Sequence, residues 1–233
     1  SMFNPDLKPQ KSKNFEIGIK GNLLFLDEEI FKSVYFDVTF FNSKIEDEIV
    51  PFEVFGDVFY RNAAKTNRSG LEVGLNAELY KGLRLKSSYT LSDFTYDAYE
   101  ARTIHNDSTV TVASFSDNHV PSVPEHNFSL AVLYENRLNE SLTGFLKLNY
   151  NNVSGLYTDD GNTEKSEGYA VMNSTLGFDW IISRFQVIFS CGMNNMFNKT
   201  YVAFVNINSA QKEYYEVGEP RNFFTGFNIS YTF

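Results

Sequence analysis

"NFFTGFNISYTF", residues Asn222–Phe233, alternates almost without fault. One register carries Phe223, Thr225, Phe227, Ile229, Tyr231 and Phe233, and the other carries Asn222, Phe224, Gly226, Asn228, Ser230 and Thr232. A period of two is that of a β-strand with unlike faces. A soluble sheet would bury the Phe/Ile/Tyr face in a core. A membrane barrel would turn the same face to lipid.

The pattern repeats upstream. Phe15, Ile17, Ile19, Leu23 and Phe25 alternate with Asn14, Glu16, Gly18, Lys20 and Asn22, and Val34, Phe36, Val38 and Phe40 alternate with Tyr35, Asp37, Thr39 and Phe41. Leu71, Val73, Leu75, Ala77 and Leu79 stand opposite Glu72, Gly74, Asn76 and Glu78. After "YKG" the alternation resumes with Leu83, Leu85, Tyr89 and Leu91 against Arg84, Lys86, Ser88 and Thr90. Further strands are predicted at 126–135, 142–153, 169–180 and 184–197, which gives about nine with the terminal one. No stretch shows a helical period.

The connections alternate in length. Those at 27–32, 80–82, 136–141 and 181–183 are short, whereas those at 96–124, 155–167 and 198–221 are long, polar and rich in Asp, Asn, Ser and Tyr. Tight turns at one end and long loops at the other are the pattern of an outer-membrane barrel, with its short turns in the periplasm. Polar-face residues such as Glu16, Lys20, Asp37, Glu72, Glu78, Arg84, Lys86, Lys147 and Asn149 also suit water better than a dry core, where each unpaired charge costs several kcal/mol. Aromatic residues at strand ends (Phe25, Tyr35, Tyr80, Tyr89, Tyr134, Tyr150, Tyr169, Trp180, Tyr231) suit interfacial girdles.

Composition excludes several classes. The 233 residues are 42% hydrophobic and 16% aromatic, with 23 Phe and 14 Tyr, ample for one all-β domain. No window approaches the ~18 apolar residues of a membrane helix or resembles a signal peptide. The net charge of -9 argues against nucleic acid, which requires a basic surface. A single Cys191 cannot form an internal disulfide. His105, His119 and His126 cluster in or beside one long connection without metal-ligand spacing, and no nucleophile elbow or phosphate loop occurs. Asp159-Asp160 reads as a turn. No catalytic residue, resident metal or cofactor is expected.

Five segments carry a family resemblance: "NPDLKPQKSKNFEIGIKG" (Asn4–Gly21), "YRNAAKTNRSGLEVGL" (Tyr60–Leu75), "PSVPEHNFSLAVLY" (Pro121–Tyr134), "GMNNMFNKTY" (Gly192–Tyr201) and "GEPRNFFTGFNISYTF" (Gly218–Phe233). In this order and spacing the chain resembles the C-terminal part of a TonB-dependent outer-membrane receptor. The resemblance implies an all-β fold: an antiparallel up-and-down transmembrane β-barrel segment, about nine strands of a barrel of about 22. Residues 1–13 would be an extracellular-side lead-in, with Ser1-Met2 an expression remnant, and 14–233 the barrel part.

The resemblance also implies a Gram-negative outer-membrane location and active import of a scarce substrate such as a ferric siderophore or other metal chelate. Its partners would be outer-membrane lipid, small-molecule cargo, an N-terminal plug with the remaining strands, and the TonB complex acting through that plug. Cargo contacts are expected among Tyr96, Tyr99, Arg102, His105 and His119 of the first long connection, Tyr157 of the second, and Tyr201, Lys212, Tyr214, Tyr215 and Arg221 around the third. Glu16 and Glu72, in "FEIGI" and "LEVGL", would latch plug arginines, each beside a glycine that leaves room. Tyr231 and Phe233 would form the C-terminal barrel-assembly signal. The alternatives are a soluble lectin-like all-β module and a porin-type or enzymatic barrel.

Overall fold

The structure, a computed structural model, describes residues 7–25, 30–54, 57–79, 82–104, 109–207 and 215–233, without side chains at 51–54, 57–59 and 103–104. Tyr80, His105, Lys212 and Tyr214 lie outside the described residues. Twelve strands follow in order: β1 Lys11–Leu24, β2 Phe31–Val54, β3 Asp57–Leu79, β4 Leu83–Ile104, β5 Val110–Ser114, β6 His126–Arg137, β7 Leu142–Val153, β8 Tyr169–Ile182, β9 Phe185–Asn194, β10 Val202–Val205, β11 Tyr215–Val217 and β12 Asn222–Tyr231. The main sheet runs β1-β2-β3-β4-β6-β7-β8-β9-β12, with β5 added to β4; β10 and β11 form a separate hairpin. Every neighbouring pair along that path is antiparallel. Among the described residues the sheet does not close on itself: β1 and β12 each pair on one side.

The nine strands of that path are those the alternation predicts, and their register unites the apolar residues. Ile19 pairs with Val38, Val38 with Val73 and Val73 with Tyr89. Tyr89 pairs with Phe128, Val132 with Leu148, Leu146 with Leu176, Phe178 with Phe189 and Val187 with Ile229. Directly paired residues share a face, so one apolar belt crosses the sheet from β1 to β12. Much of it is open: Ile17 is 63% exposed, Leu176 57% and Phe227 66%. The span from Leu83 to Leu91 matches the ~9–11 residues with which a tilted strand crosses a bilayer. Tyr134, Trp180 and Tyr231 stand at the turn end of this belt and Tyr89 and Tyr150 at the opposite end. Tyr35 and Tyr169 do not join these girdles. They pair with Asn76 and Val153, on the polar face.

The polar face carries a second device. Phe41, Phe145 and Phe224 each lay a ring over a glycine of the adjacent strand, Gly70, Gly177 and Gly192, where a Cβ would run into the ring. The rings cover backbone that glycine leaves bare.

The strand ends differ from expectation. β1 begins at Lys11 rather than Asn14, and β2, β3 and β4 run on to Val54, from Asp57 and to Ile104. The connection predicted at 96–124 is therefore partly ladder, with β4 and β5 paired from Glu100↔Ser114 to Ile104↔Val110. Beyond the belt both faces of a strand meet water or protein, so polar residues continue the hydrogen-bond ladder without alternating. The third long connection likewise contains β10 and β11.

The buried core sits in these extensions. Val50, Ala64, Tyr96 and Tyr99 form it, packed by Ala63, Ala101, Phe115 and Val120. Below, lipid rather than a second protein layer is the natural cover for the belt. Replacing Ile229 or Leu75 by Arg is therefore expected to cost about 2–4 kcal/mol near the bilayer midplane. Asn228→Arg and Asn76→Arg, one residue away on the other face, should cost far less. Equal tolerance at all four positions in a detergent or vesicle refolding titration would refute the face assignment.

Candidate functional site

The long connections meet over the upper ends of β3 and β4. Residues 115–120 add themselves to the edge of β4: Tyr96 N donates to Asn118 O (2.9 Å), Asp117 N to Tyr96 O (2.8 Å) and Val120 N to Phe94 O (2.8 Å). Residues 155–168 lie against them. Asp159 builds the tip of this second loop, its carboxylate accepting from Thr163 N (3.0 Å), Thr163 Oγ1 (2.9 Å) and Glu164 N (3.0 Å). Such side-chain capping of a turn is what Asp does in a Gly/Asn context.

Asp160 points the other way. It is 8% exposed, and the Tyr96 hydroxyl donates to its Oδ1 at 2.7 Å. Asn118 Nδ2 donates to the Asp160 carbonyl at 2.8 Å. Tyr96 and Tyr99, 6% and 3% exposed, have ring centroids 4.9 Å apart. Burial first, then the charge of Asp160 and the hydrogen bond to it, raises both phenols above the usual tyrosine value. These two tyrosines were expected in a loop. They belong instead to β4, with side chains in the core rather than at the surface.

Beside this knot a cavity of about 110 Å³ opens among Ser92, Phe94, His119, Glu125, Tyr157 and Lys165. His119 stacks on Tyr157 with centroids 5.5 Å apart and planes 13° from parallel, and Lys165 Nζ lies 4.8 Å from the Tyr157 centroid. His119 is held by its backbone: its N donates to Asn162 Oδ1 (2.7 Å), and Asn162 Nδ2 donates to its O (2.9 Å). The cavity is smaller than the ~150 Å³ that takes up a benzene ring. It would accept the edge of a larger ligand, with an aromatic face and a cation already in position.

The other predicted contacts are dispersed. Arg102, on β4, and Tyr215, on β11, are exposed, as is Arg221. Tyr201 packs on Tyr169 (4.6 Å) with its ring over Gly218. Glu16 and Glu72 are exposed on the polar face, on β1 and β3. Neither has an ion-pair or hydrogen-bond partner among the described residues. The room beside each is taken: Thr39 Oγ1 stands where a Cβ on Gly18 would lie, and the Asp37 carboxylate covers Gly74.

Four features escaped the sequence. Lys165 and Asp160 lie in a polar loop without periodicity. Glu48 sits at a register shift in β2, where it accepts from Thr66 Oγ1 (2.7 Å) and Arg68 Nη2 (2.5 Å). Phe94 supports the Arg68 guanidinium, 5.8 Å from its centroid. The described residues contain no group of three or more His, Cys, Asp or Glu placed to hold a metal.

The family model for the TonB-dependent receptor-like β-barrel matches residues 1–196. The catecholate siderophore receptor Fiu of Escherichia coli K12 is 26% identical over 226 residues, 97% of this chain and 26% of the receptor. Among solved structures, BauA, the ferric preacinetobactin receptor from Acinetobacter baumannii, superposes with a TM-score of 0.67 at 18% identity, over 96% of this chain and 30% of that one. The siderophore receptor PiuA from Acinetobacter baumannii gives 0.70 at 20% identity, over 94% of this chain and 28% of that one. The chain spans about a quarter of the length of the curated relatives it matches.

Asp160→Asn or Tyr96→Phe should loosen the 155–168 loop from the β4 extension by about 1–3 kcal/mol, the cost of orphaning a buried partner. Faster amide exchange in 155–168, with the belt strands unchanged, is the expected reading. The pH dependence follows from the raised phenols. Their stabilising contribution is complete below the unfolded tyrosine value of about 10 and is lost as pH rises through the higher folded values. In an ultraviolet titration Tyr96 and Tyr99 should ionise above the usual tyrosine value.

Proposed function

Because the chain belongs to the TonB-dependent receptor-like β-barrel family, we propose that it forms part of the wall of a Gram-negative outer-membrane active transporter that imports a ferric siderophore or other metal chelate. Support comes from the two-faced sheet: an apolar belt continuous over nine antiparallel strands, backed by a charged face that needs water. A porin-type wall would share this feature. The family and its named relatives, receptors for catecholate siderophores and ferric chelates, favour energised uptake over passive diffusion. These are receptors rather than enzymes.

On this proposal a plug and the remaining strands, from sequence beyond these residues, complete the barrel, and TonB acts through the plug. Cargo meets the upper surface. His119, Tyr157 and Lys165 offer stacked rings and a cation to an aromatic, anionic chelate, and Arg102, Tyr215 and Arg221 belong to the same proposal as exposed side chains elsewhere on the surface. Tyr96 and Tyr99 act from beneath by holding the 155–168 loop. Tyr201, His105, Lys212 and Tyr214 belong to the same proposal by their place in the connections. Tyr231 and Phe233 serve assembly.

Glu16 and Glu72 are the proposed plug latches. With β2 between them and a two-residue offset, they stand about 12 Å apart, from a strand spacing of ~4.8 Å and a rise of ~3.3 Å. Two plug arginines could engage them separately, each as a bidentate pair. The test is Glu16→Gln with Glu72→Gln in the full-length receptor: plug retention is expected to fall, and wild-type retention and uptake would remove the role.

For the function itself, the intact receptor is placed in cells lacking their own ferric-chelate receptors, and radioiron uptake is followed with and without TonB. Uptake that needs TonB and falls at least several-fold in a His119→Ala, Tyr157→Ala double variant is expected. Uptake indifferent to TonB would favour the porin-type wall, and folding of the intact protein as a soluble monomer without amphiphile would overturn both.

A further inference from the structure

We propose that Lys11, Lys13, Lys44 and Lys65 form a seat, on the lipid side of the wall, for a phosphate-bearing lipid of the outer leaflet. This rests on the belt facing lipid. The register places all four lysines on the belt's own face, just above its upper edge. Lys13 continues the alternation of Phe15 and Ile17 and pairs directly with Lys44, as Phe15 pairs with Asn42 and Ile17 with Phe40. Lys11 lies two residues above Lys13, and Lys65 lies two residues above Asn67, the β3 partner of Lys44. All four are exposed, and none has an ion-pair or hydrogen-bond partner among the described residues.

The charge pattern and the ground beneath it describe the occupant. Lys13 and Lys44 are directly opposed, with Cβ atoms about 5 Å apart, and like charges so placed destabilise a ladder until an anion lies between them. Strand spacing and rise put Lys65 about 8 Å from Lys44, so several ammonium groups on flexible stems converge on one spot. The chain entering β1 is tied to the same place. Lys8 N donates to Asn62 Oδ1 (2.7 Å), and Asn62 Nδ2 donates to Lys8 O (2.8 Å) and to the Asp47 carbonyl (2.6 Å) at the register shift of β2. Glu46 and Asp47 stand in that shift, yet among the described residues neither forms an ion pair with a lysine. A phosphomonoester, close to two negative charges at neutral pH, answers an opposed lysine pair with one group. Directly below on the same face Phe15 is 58% exposed, Ile17 63% and Phe40 43%. An anion that carries acyl chains covers those side chains while its head meets the lysines. Free phosphate or an acidic peptide would use the lysines alone and gain nothing from the apolar ground.

The test uses the intact receptor in a neutral detergent, with dioctanoyl phosphatidic acid, dioctanoylglycerol and inorganic phosphate as separate probes read by native mass spectrometry. Phosphatidic acid is expected to bind saturably and more tightly than either of the others. Lys13→Gln with Lys44→Gln should weaken it about tenfold, the scale of two lysines at an anionic lipid surface. Lys20→Gln with Lys147→Gln, on the opposite face, should leave it unchanged. Without lipid the Lys13→Gln, Lys44→Gln receptor should melt no lower than the unsubstituted one, since an opposed like-charge pair is gone; this separates a lost seat from a damaged fold. Equal binding of dioctanoylglycerol, phosphate or polyglutamate, unchanged affinity in the Lys13→Gln, Lys44→Gln receptor, or an equal loss in the opposite-face variant would each overturn the proposal. A receptor that imports a ferric chelate through TonB without this lipid preference fails this proposal alone; one that holds the lipid but imports nothing fails the transport function alone.

Discussion

Everything in this molecule depends on the pairing of backbone N–H and C=O groups along strands whose one face has no protein cover. In hydrocarbon an unpaired peptide group costs several kcal/mol, so a chain that crosses it must satisfy its own backbone. The ladder from β1 to β12 does so strand by strand, and register does the rest by sorting side chains to two solvents. The three Phe-over-Gly contacts fit the same constraint. They cover glycine backbone on the polar face by borrowing a ring from the next strand.

Above the belt the physics changes. Strands β2, β3 and β4 continue where both faces are available to protein or water, and a small core assembles around Tyr96 and Tyr99. It is held by contacts that a soluble domain would use: a tyrosine hydroxyl on a buried aspartate, a glutamate at a bulge answering an arginine, an aspartate capping a turn. The His119–Tyr157–Lys165 group stands beside this base, with His119 held by Asn162 of the loop that Asp160 anchors to the core. A surface anchored this way is ordered by the fold beneath it.

These two regimes explain what could be seen in the sequence. The belt was legible, because residues such as Ile17, Val73 and Phe227 must alternate with Glu16, Glu72 and Asn228 for the fold to exist at all. The extensions at 42–54, 57–70 and 92–104 were not, since a ladder in water leaves no alternation to detect. Tyr96 and Tyr99 could be noticed as tyrosines but not as buried ones. The partner that buries them, Asp160, is 64 residues from Tyr96 in the chain and looks like half of a turn.

The knot that Asp160 makes with Tyr96 has a thermodynamic corollary. The belt exchanges one apolar surrounding for another when it leaves lipid for detergent, so its melting is governed by the amphiphile. The upper core buries apolar surface away from water and therefore carries the heat-capacity increment of an aqueous protein. The two parts, in one continuous set of strands, thus differ in what drives their opening. Urea or warmth is therefore expected to open the upper extension before the ladder beneath it, which makes that extension the part that can be remodelled while the belt stays in place.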